Sequence, residues 1–498
     1  MDVAGMTPLL ALLVPVFGAA VVWLLRHRPP AREIGGIIAG LAQFAVVATM
    51  VPAVRDGGTV SFTLSTFLPG APIELRADTL GVVLAGTAAI LWVFTTIYAM
   101  GYFGTAPDPS LTRFHACLSL TMSATIGVAF SANLITLYLF YEALTIITYP
   151  LVAHAGTPEA IRGGRRYLAY QLGAGIAFLL PAIVLTYVEA GTFDFDPGGI
   201  FGPDSSSVLL VIIYVLFLLG IAKAALMPIH SWLPAAMVAP VPVSALLHAV
   251  AVVNVGVFCV IRVVLGVFGS DLVGELDLGL LTLVATSATI LIASFYALRL
   301  DNLKGILAYS TIGQLSYMML GVALLSPSGR AGAVLHLVGH SFSKITLFFA
   351  VGSIYLATHR TLASELRGIG RQLPLTMIAF AIGALSIIGL PPTVGFVAKY
   401  FLFVGAVEAG QWVILVVLSV STLLSATYYL RILRSAVLDA PTPSLPGGPG
   451  DAAQPQRTPT VTERGFLVVG PMLATATVTL LLGIAPGRLL DFIRVLTG

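Results

Sequence analysis

Fourteen apolar windows of about 20 residues follow one another along this 498-residue chain. An α-helix of that length spans the roughly 30 Å hydrocarbon core of a bilayer. Since lipid offers the backbone no hydrogen-bonding partner, such windows cross it as helices. The predicted spans are 7–25, 34–54, 79–103, 111–130, 133–153, 166–188, 207–227, 242–265, 276–298, 303–324, 331–357, 373–400, 411–433 and 464–485.

Composition also indicates a membrane protein. Hydrophobic residues make up 58% and charged residues 9% of the sequence, whereas soluble proteins carry about 25% charged residues. We therefore predict an all-α polytopic membrane protein embedded in the lipid bilayer. The basic residues Arg26 and Arg28 follow the first window, so that window is expected to be a retained span and not a signal peptide. A basic face with interleaved aromatic residues is absent from the sequence, so nucleic acid is not an expected partner.

Arginines recur in alternate loops, and this pattern orients the chain because cytoplasmic loops carry the basic excess. We call the face that receives them the arginine-rich side. An even number of spans then places both termini on the outer face of the cell membrane. The segment 440–462, rich in Pro and Gly, is expected to be a cytoplasmic loop. The arginines on this side are Arg26, Arg28, Arg32, Arg113, Arg162, Arg165, Arg166, Arg299, Arg360, Arg367, Arg371, Arg431, Arg434, Arg457 and Arg464.

The lysines have the opposite distribution. All four, Lys223, Lys304, Lys344 and Lys399, lie inside or at the edge of an apolar window. A charge at the centre of a membrane helix costs about 2.5–3.5 kcal/mol on insertion scales and is by default functional. Glu142 is the one carboxylate in the interior of such a window. We expect Glu142 and Lys223 to form a pair that exchanges protons; the alternative is a static ion pair that fixes helix packing.

Prolines predict two broken helices. Pro228 follows Lys223 by five residues, whereas Pro391 and Pro392 precede Lys399 by eight and seven residues. Breaks in corresponding halves of a transporter indicate inverted repeats whose unwound backbone lines an ion path. The alternative is that these prolines only bend their helices.

Three ionisable residues share one face of the predicted eleventh span. His336, His340 and Lys344 are spaced four residues apart, which places them in one stripe along a helix. Imidazole groups can pass protons near neutral pH by way of water, although a packing role is the alternative. The sequence HLVGH lacks the glutamate of the HExxH zinc motif, and no third ligand is evident, so no metal site is predicted.

Two further residues extend this set. His248 is placed to bridge Lys223 and the stripe, or else fills a structural role as a lone buried histidine. Lys304, with Asp301 within reach, begins the tenth span on the arginine-rich side, where it can serve as a proton entry or exit group. His230, near the first break, is a weaker candidate for the same entrance.

Cofactor chemistry is not expected in this chain. The glycine patterns GxGxxG and GxxxxGK[ST] are absent, and Cys117 and Cys259 do not form a CxxC motif. We therefore expect no catalytic centre, no cofactor and no metal. Any redox reaction or ATP hydrolysis that drives the protein is expected to belong to a partner subunit.

Five ordered motifs resemble one family. They are LITLYLFYEALTIITYPL, KAALMPIHSWLPAAMVAPVPVSALLHA, DNLKGILAYSTIGQLSYMMLG, LHLVGHSFSKITLFFAVGSI and GLPPTVGFVAKYFLF. The resemblance, over roughly residues 75–435, is to the antiporter-like proton-channel subunits of respiratory complex I, membrane-bound hydrogenases and Mrp-type cation/proton antiporters. It implies about 14 helices with two inverted five-helix repeats. The implied parts are 1–110 for helices 1–3, 111–265 and 276–434 for the repeats, and 464–498 for the last helix and tail.

The same resemblance implies roles for individual residues. Glu142 and Lys223 match the family's glutamate on helix 5 and lysine on the broken helix 7. His248, the stripe and Lys399 match positions on helices 8, 11 and 12, where a histidine and a lysine are typical of the largest subunit. The length of this chain, however, resembles the D subunit of the antiporters. The subfamily therefore stays open.

Four functions follow from these observations. The leading one is a membrane subunit of a multi-subunit antiporter that exchanges protons for Na⁺ or another monovalent cation. The others are a proton-pumping subunit of an NADH–quinone oxidoreductase or hydrogenase, a membrane subunit that energises a soluble zinc partner in inorganic-carbon uptake, and a self-sufficient transporter. In each, protons are expected to pass from the arginine-rich side through Lys223, His248 and the stripe to Lys399, gated by Glu142.

Overall fold

The computed structural model describes residues 4–66, 70–104, 108–439 and 462–496. Apart from one strand pair, its regular elements are helices. The N-terminal part contains Thr7–Leu24 (α1), Pro29–Val54 (α2), the strands Val60–Ser65 (β1) and Ile73–Ala77 (β2), Thr79–Phe103 (α3) and Pro109–Ala129 (α4). The middle part contains Leu134–Val152 (α5), Pro158–Ala174 (α6), Leu180–Ala190 (α7), Ser207–Gly220 (α8), Trp232–Ala235 (α9), Val241–Ala249 (α10), Val252–Val263 (α11) and Ser270–Glu275 (α12).

The remaining helices follow in the C-terminal part. They are Leu278–Arg299 (α13), Leu303–Ala323 (α14), Pro327–Thr358 (α15), Pro374–Ile388 (α16), Val394–Glu408 (α17), Trp412–Leu438 (α18), Phe466–Ile484 (α19) and Gly487–Ile493 (α20). Except for its last residue, the predicted loop 440–462 lies outside the described residues.

Polar side chains begin several of these helices. Asp78, Asp108, Asn133, Asn302 and Ser326 each accept a hydrogen bond from a backbone N–H two or three residues further on. Such caps satisfy N–H groups that the first helical turn leaves without a partner. Helix starts are therefore encoded locally, at the edges of the apolar windows.

Eleven helical stretches in the described part of the chain are long and apolar enough to cross a membrane, where Pro158–Ala190 (α6 and α7) and Val241–Phe268 (α10 and α11) count as one stretch each. Two shorter apolar helices, α8 and α16, are each the first half of a broken helix. The all-helical membrane fold is thus confirmed, while the count of 14 spans and the inverted repeats stay predictions. The antiparallel pair of β1 and β2, in the connection between α2 and α3, was not predicted.

Both broken helices are present, but the first break is not centred on its proline. α8 ends at Gly220, eight residues before Pro228, and Lys223 lies in a short 3₁₀ segment within the break itself. α16 ends at Ile388, and Gly389 adopts a left-handed conformation (φ +93°) that suits glycine after a helix C-terminus. Pro391 and Pro392 then occupy the break, as expected.

A third break was not predicted. The window 242–265 is divided into α10 and α11 at Val250, and the backbone N–H groups of Val250 and Ala251 both bond the carbonyl of Leu246. No proline marks this position. Segments with π-helical hydrogen bonding, Gly175–Leu179 and Val264–Phe268, follow α6 and α11. Local departures from the α-helix of this kind occur frequently at functional sites.

Among the candidate spans, α15 has the most buried apolar window. Its apolar window is buried throughout, because α3, α10, α14, α16, α17 and α19 all pack around it. By contrast, α1 and α2 bury only about a third of theirs and expose large apolar side chains such as Phe17 and Ile38. The histidine and lysine stripe is therefore carried by the central helix.

Several arginines expected in loops lie within helices instead, and one of them is buried. Arg32 is not in a loop but in the first turn of α2, where it is fully buried and bonds Glu33 at 2.7 Å. Its guanidinium also donates to the hydroxyl of Thr112 at 3.1 Å, and His115 lies 3.9 Å from the same carboxylate. A neighbouring opposite charge makes burial of an arginine tolerable, so this pair joins α2 to α4.

We predict that Gly256→Ala destabilises the fold at the first break. A Cβ atom at Gly256 would lie 2.2 Å from the backbone nitrogen of Ala224 and 2.3 Å from the carbonyl carbon of Lys223. Overpacking of this kind costs about 1–3 kcal/mol. Gly173→Ala is the matched control, since nothing lies within 4 Å of its Cβ position. Thermal unfolding of the purified chain in detergent should show a lower Tm for the first variant alone; equal values would contradict the packing described here.

Candidate proton pathway

Lys223 is fully buried at the first break and contacts α5. Its Nζ donates to the carbonyl oxygen of Tyr141 at 3.0 Å and to Oγ1 of Thr145 at 2.6 Å. The same atom lies 3.3 Å from the centre of the Tyr141 ring, a cation–π contact. Trp232 donates to the carbonyl of Ala222 and so ties the segment after the break back to it. In this structure the ammonium group is thus held against α5 by two hydrogen bonds and one ring contact.

Glu142 lies close to Lys223 but is not bonded to it. No ion pair within 4.0 Å joins the two among the described residues, although their charges interact through space. Both carboxylate oxygens of Glu142 are buried and without a hydrogen-bond partner in the protein. They rest against Gly175, where a Cβ would lie 1.8 Å from Oε1. The expected direct pair is thus separated in this structure.

His248 and His340 meet at the third break. The ring nitrogen Nε2 of His340 lies 3.2 Å from the backbone carbonyl of His248. Asn254 spans the break, because its amide donates to the carbonyl of Ala249 at 2.9 Å and to Oγ of Ser341 at 2.6 Å. Both ring nitrogens of His248 are buried and lack a partner in the protein. The break thus brings His248 of α10 and His340 of α15 together.

A second set of contacts links the stripe to Lys399, beside the break at Pro391 and Pro392. Nε2 of His336 lies 2.9 Å from Oε1 of Gln314, and its ring stacks on Tyr317 with centres 5.8 Å apart. The ring of Tyr317 lies 4.7 Å from Nζ of Lys399. Since the rings of His336 and His340 are themselves 6.3 Å apart, contacts continue from His340 to Lys399.

Lys399 is held in much the same way as Lys223. Its Nζ donates to the carbonyl of Ile388, the last residue of α16, at 2.9 Å and to Oγ1 of Thr422 at 3.2 Å. Each of these two lysines therefore has one backbone carbonyl, one threonine hydroxyl and one tyrosine ring. A cation at a helix C-terminus is also favoured by the helix dipole.

Lys344 forms hydrogen bonds to residues that neither histidine of the stripe bonds. Its Nζ donates to the carbonyl of Leu307 at 3.1 Å and to the hydroxyl of Tyr429 at 3.3 Å. Tyr429 in turn bonds Ser310 at 2.9 Å. The stripe is therefore not a single row of contacts: its histidines face α10 and α14, and its lysine lies against α14 and α18.

Lys304 lies at the edge of a cleft of about 360 Å³ that is also lined by Tyr102, Tyr355 and Arg360. Its Nζ donates to the carbonyl of Ala239. Asp301, expected within reach, instead accepts two hydrogen bonds from Ser364. Lys304 thus joins a cleft on the arginine-rich side to the start of α10.

The structure leaves one step without a direct contact. Lys223 and His248 are joined only by packing, where Gly256 of α11 lies against the 3₁₀ segment. His230 is half-buried, its Nδ1 lies 3.2 Å from the carbonyl of Pro228, and it reaches none of the lysines among the described residues. The contacts therefore define one group around Lys223 and one from His248 to Lys399, with Lys304 and Lys344 outside both.

Sequence reasoning missed the polar residues that hold the charged ones. These are uncharged side chains inside apolar windows: Tyr141, Thr145, Asn254, Gln314, Tyr317, Ser341, Thr422 and Tyr429. Asn254 and Gln314 carried a usable signal, because an amide in a membrane helix needs a partner. Threonine and tyrosine are common enough in such helices that position alone does not single them out.

One family model matches the part of the chain that carries the predicted pathway residues. Residues 131–425 match the family described as NADH:quinone oxidoreductase/Mrp antiporter, TM. This match covers more than half of the chain, so the chain belongs to that family, and the resemblance drawn from the five motifs is confirmed. It is a multi-pass protein of the antiporter-like class.

Particular relatives divide between two kinds of complex. The N subunit of the NADH-quinone oxidoreductase of Desulforudis audaxviator is 32% identical over 440 residues, 86% of either chain. A chain of a probable K(+)/H(+) antiporter of Rhizobium meliloti is 29% identical over 94% of this chain, which spans about half (48%) of that longer relative.

Solved structures show the same fold. A chain of the Mrp complex from Dietzia sp. DQ12-45-1b superposes with a TM-score of 0.88 at 24% identity, covering 100% of this chain and 97% of that one. A chain of the membrane-bound sulfane sulfur reductase, an archaeal respiratory membrane complex, gives 0.85 at 21% identity, covering 98% and 96%. At these identities the likeness concerns the fold.

We predict that Thr145→Val lowers proton transport by the assembled complex. The change removes the hydroxyl that accepts from Lys223, and a hydrogen bond to a charged group is worth about 1.5–3 kcal/mol. The matched control is Thr427→Val, whose exposed hydroxyl bonds only its own helix at Leu423. Proton uptake by inverted membrane vesicles should fall in the first variant and not in the second. Equal rates would show that the hydroxyl at Thr145 does not position the lysine for transport.

Proposed function

We propose that this chain is the proton-conducting membrane subunit of a multi-subunit antiporter that exchanges protons for Na⁺ or another monovalent cation. The observation that carries the proposal is the buried series from His248 through His340, His336 and Tyr317 to Lys399. A membrane interior that holds so many ionisable groups in contact has a transport role by default.

In the proposed mechanism protons enter from the arginine-rich side, with the cleft at Lys304 as one entrance. They pass through Lys223 and His248 to the stripe of His336, His340 and Lys344. They leave by way of Lys399 towards the outer face. Separation and approach of Glu142 and Lys223 gate the transfer, because a lysine gives up its proton more readily when its counter-charge moves away. Both chain termini face outwards in this arrangement.

Proton pumping in an NADH–quinone oxidoreductase is the second candidate. The relative that favours it is the N subunit from Desulforudis audaxviator, which matches this chain over 86% of both lengths. The same series of buried groups would conduct protons in either complex, since the chain itself supplies only the conducting part. Other membrane subunits are proposed partners in both cases.

We predict that Lys223→Ala abolishes proton transport while the complex still assembles. Lys223→Arg is the more discriminating variant, because it keeps the positive charge but arginine does not release its proton in proteins. A proton-exchanging role therefore predicts loss of transport in both variants, measured in inverted vesicles, with assembly checked by co-purification. Antiport retained by the alanine variant would contradict the assignment, and antiport retained by the arginine variant alone would indicate a static charge pair.

The partner subunits distinguish the two candidate functions. We predict that the affinity-purified complex contains small hydrophobic membrane subunits and neither a flavoprotein nor an iron–sulfur protein. Mass spectrometry of the purified complex measures this directly. Stoichiometric flavin or iron–sulfur subunits would contradict the antiporter assignment and support a proton-pumping oxidoreductase.

A further inference from the structure

A buried glutamine has no role in the pathway described so far. Gln171 of α6 is fully buried, and both its amide nitrogen and its amide oxygen lack a hydrogen-bond partner in the protein. Leaving a buried polar group unsatisfied costs about 1–3 kcal/mol, and such groups are usually bonded by internal water. The two oxygens of Glu142 are in the same condition.

The register of α5 against α6 places these groups together. Tyr167 and Gln171 of α6 and Gly175, the first residue of the π-helical segment that continues it, are spaced four residues apart and therefore lie on one face. The hydroxyl of Tyr167 bonds that of Thr148 at 2.6 Å, and Gly175 abuts the carboxylate of Glu142.

The two helices run antiparallel, so positions 148 and 142 of α5 lie opposite positions 167 and 175 of α6. Position 171, midway along that face, then lies opposite Thr145, midway between the two α5 positions. Thr145 is the residue whose hydroxyl accepts from Nζ of Lys223. The register thus sets Gln171 opposite Thr145, three residues from Glu142 along α5.

We propose that Gln171 binds water between Glu142 and the Thr145-bound ammonium of Lys223, and that this water completes the hydrogen-bonded route that the two charged groups lack. An amide can donate two hydrogen bonds and accept two, so one side chain can hold water towards both groups. A proton then passes from Nζ of Lys223 to water while water passes one to the carboxylate, and no atom besides hydrogen is exchanged. Gln171 is a positioning residue in this account, which rests on the proposed function.

Gln171→Met tests the idea with little change of shape, because methionine has a similar length but neither donates nor accepts strongly. The chain offers a matched control in Gln43→Met. Gln43 of α2 is also fully buried, and both of its amide atoms are also without a partner in the protein. It belongs to a helix that carries none of the pathway residues.

Proton transport in inverted vesicles containing the complete complex should fall at least several-fold in Gln171→Met and stay at the wild-type level in Gln43→Met. The pH of half-maximal transport should also move upwards in Gln171→Met alone, since lost hydrogen bonds to a carboxylate favour its protonated form. A merely structural glutamine would not shift this profile. The titratable groups that face Glu142 are Lys223, Tyr138, Tyr141 and Tyr167.

Two outcomes would overturn the proposal: an unchanged rate and pH profile in Gln171→Met, or the same loss in Gln43→Met. If Gln171→Met does not accumulate, a cryo-EM map of the wild-type complex at a resolution that shows ordered water tests the proposal instead. Absence of water beside Gln171 in that map would reject the bridge. The Lys223→Ala variant distinguishes failure of the water bridge from failure of the proposed pathway. Loss of transport there with a normal Gln171→Met rejects only the water bridge, whereas retained transport there rejects the pathway itself.

Discussion

Every lysine of this protein donates a hydrogen bond from its ammonium group to a backbone carbonyl. The acceptors are Tyr141 for Lys223, Ala239 for Lys304, Leu307 for Lys344 and Ile388 for Lys399. A buried charge is tolerated only when polar atoms replace the water it has lost. Much of the interior is arranged around this requirement, because carbonyl oxygens become available to a side chain mainly where helices end or where a second lone pair remains free.

Breaks in the helices follow from the same constraint. At the first break Lys223 belongs to the unwound segment, and at the second Lys399 bonds the last carbonyl of the preceding half-helix. Glycine makes such approaches possible: Gly256 and Gly175 lie where a methyl group would overlap backbone or carboxylate atoms. The conducting groups are therefore held by backbone geometry as much as by side-chain chemistry.

The shared fold explains why relatives from different complexes match along so much of the chain. A chain of an Mrp complex and one of a sulfur-reducing respiratory complex superpose along nearly the whole length. A fold does not by itself fix a function, so one fold can occur in complexes of different kinds. What distinguishes one complex from another is then expected at subunit contacts and not in the series from His248 to Lys399.

Local sequence determined a large part of this structure, and tertiary packing decided the remainder. Window length and polarity predicted the helices, and the lysines inside apolar windows predicted buried charges that need polar partners, because a charge in lipid is costly. Pro391 and Pro392 marked a break that steric exclusion imposes locally. The break at Val250 has no such mark; there Asn254 bonds the carbonyl of Ala249 and the hydroxyl of Ser341 on another helix. Likewise, Arg32 is charged like its loop neighbours, and only its contact with Glu33 and Thr112 places it inside. Partners of a buried charge come from distant parts of the chain, so the sequence identifies the charges while the packed helices decide which oxygen atoms each one meets.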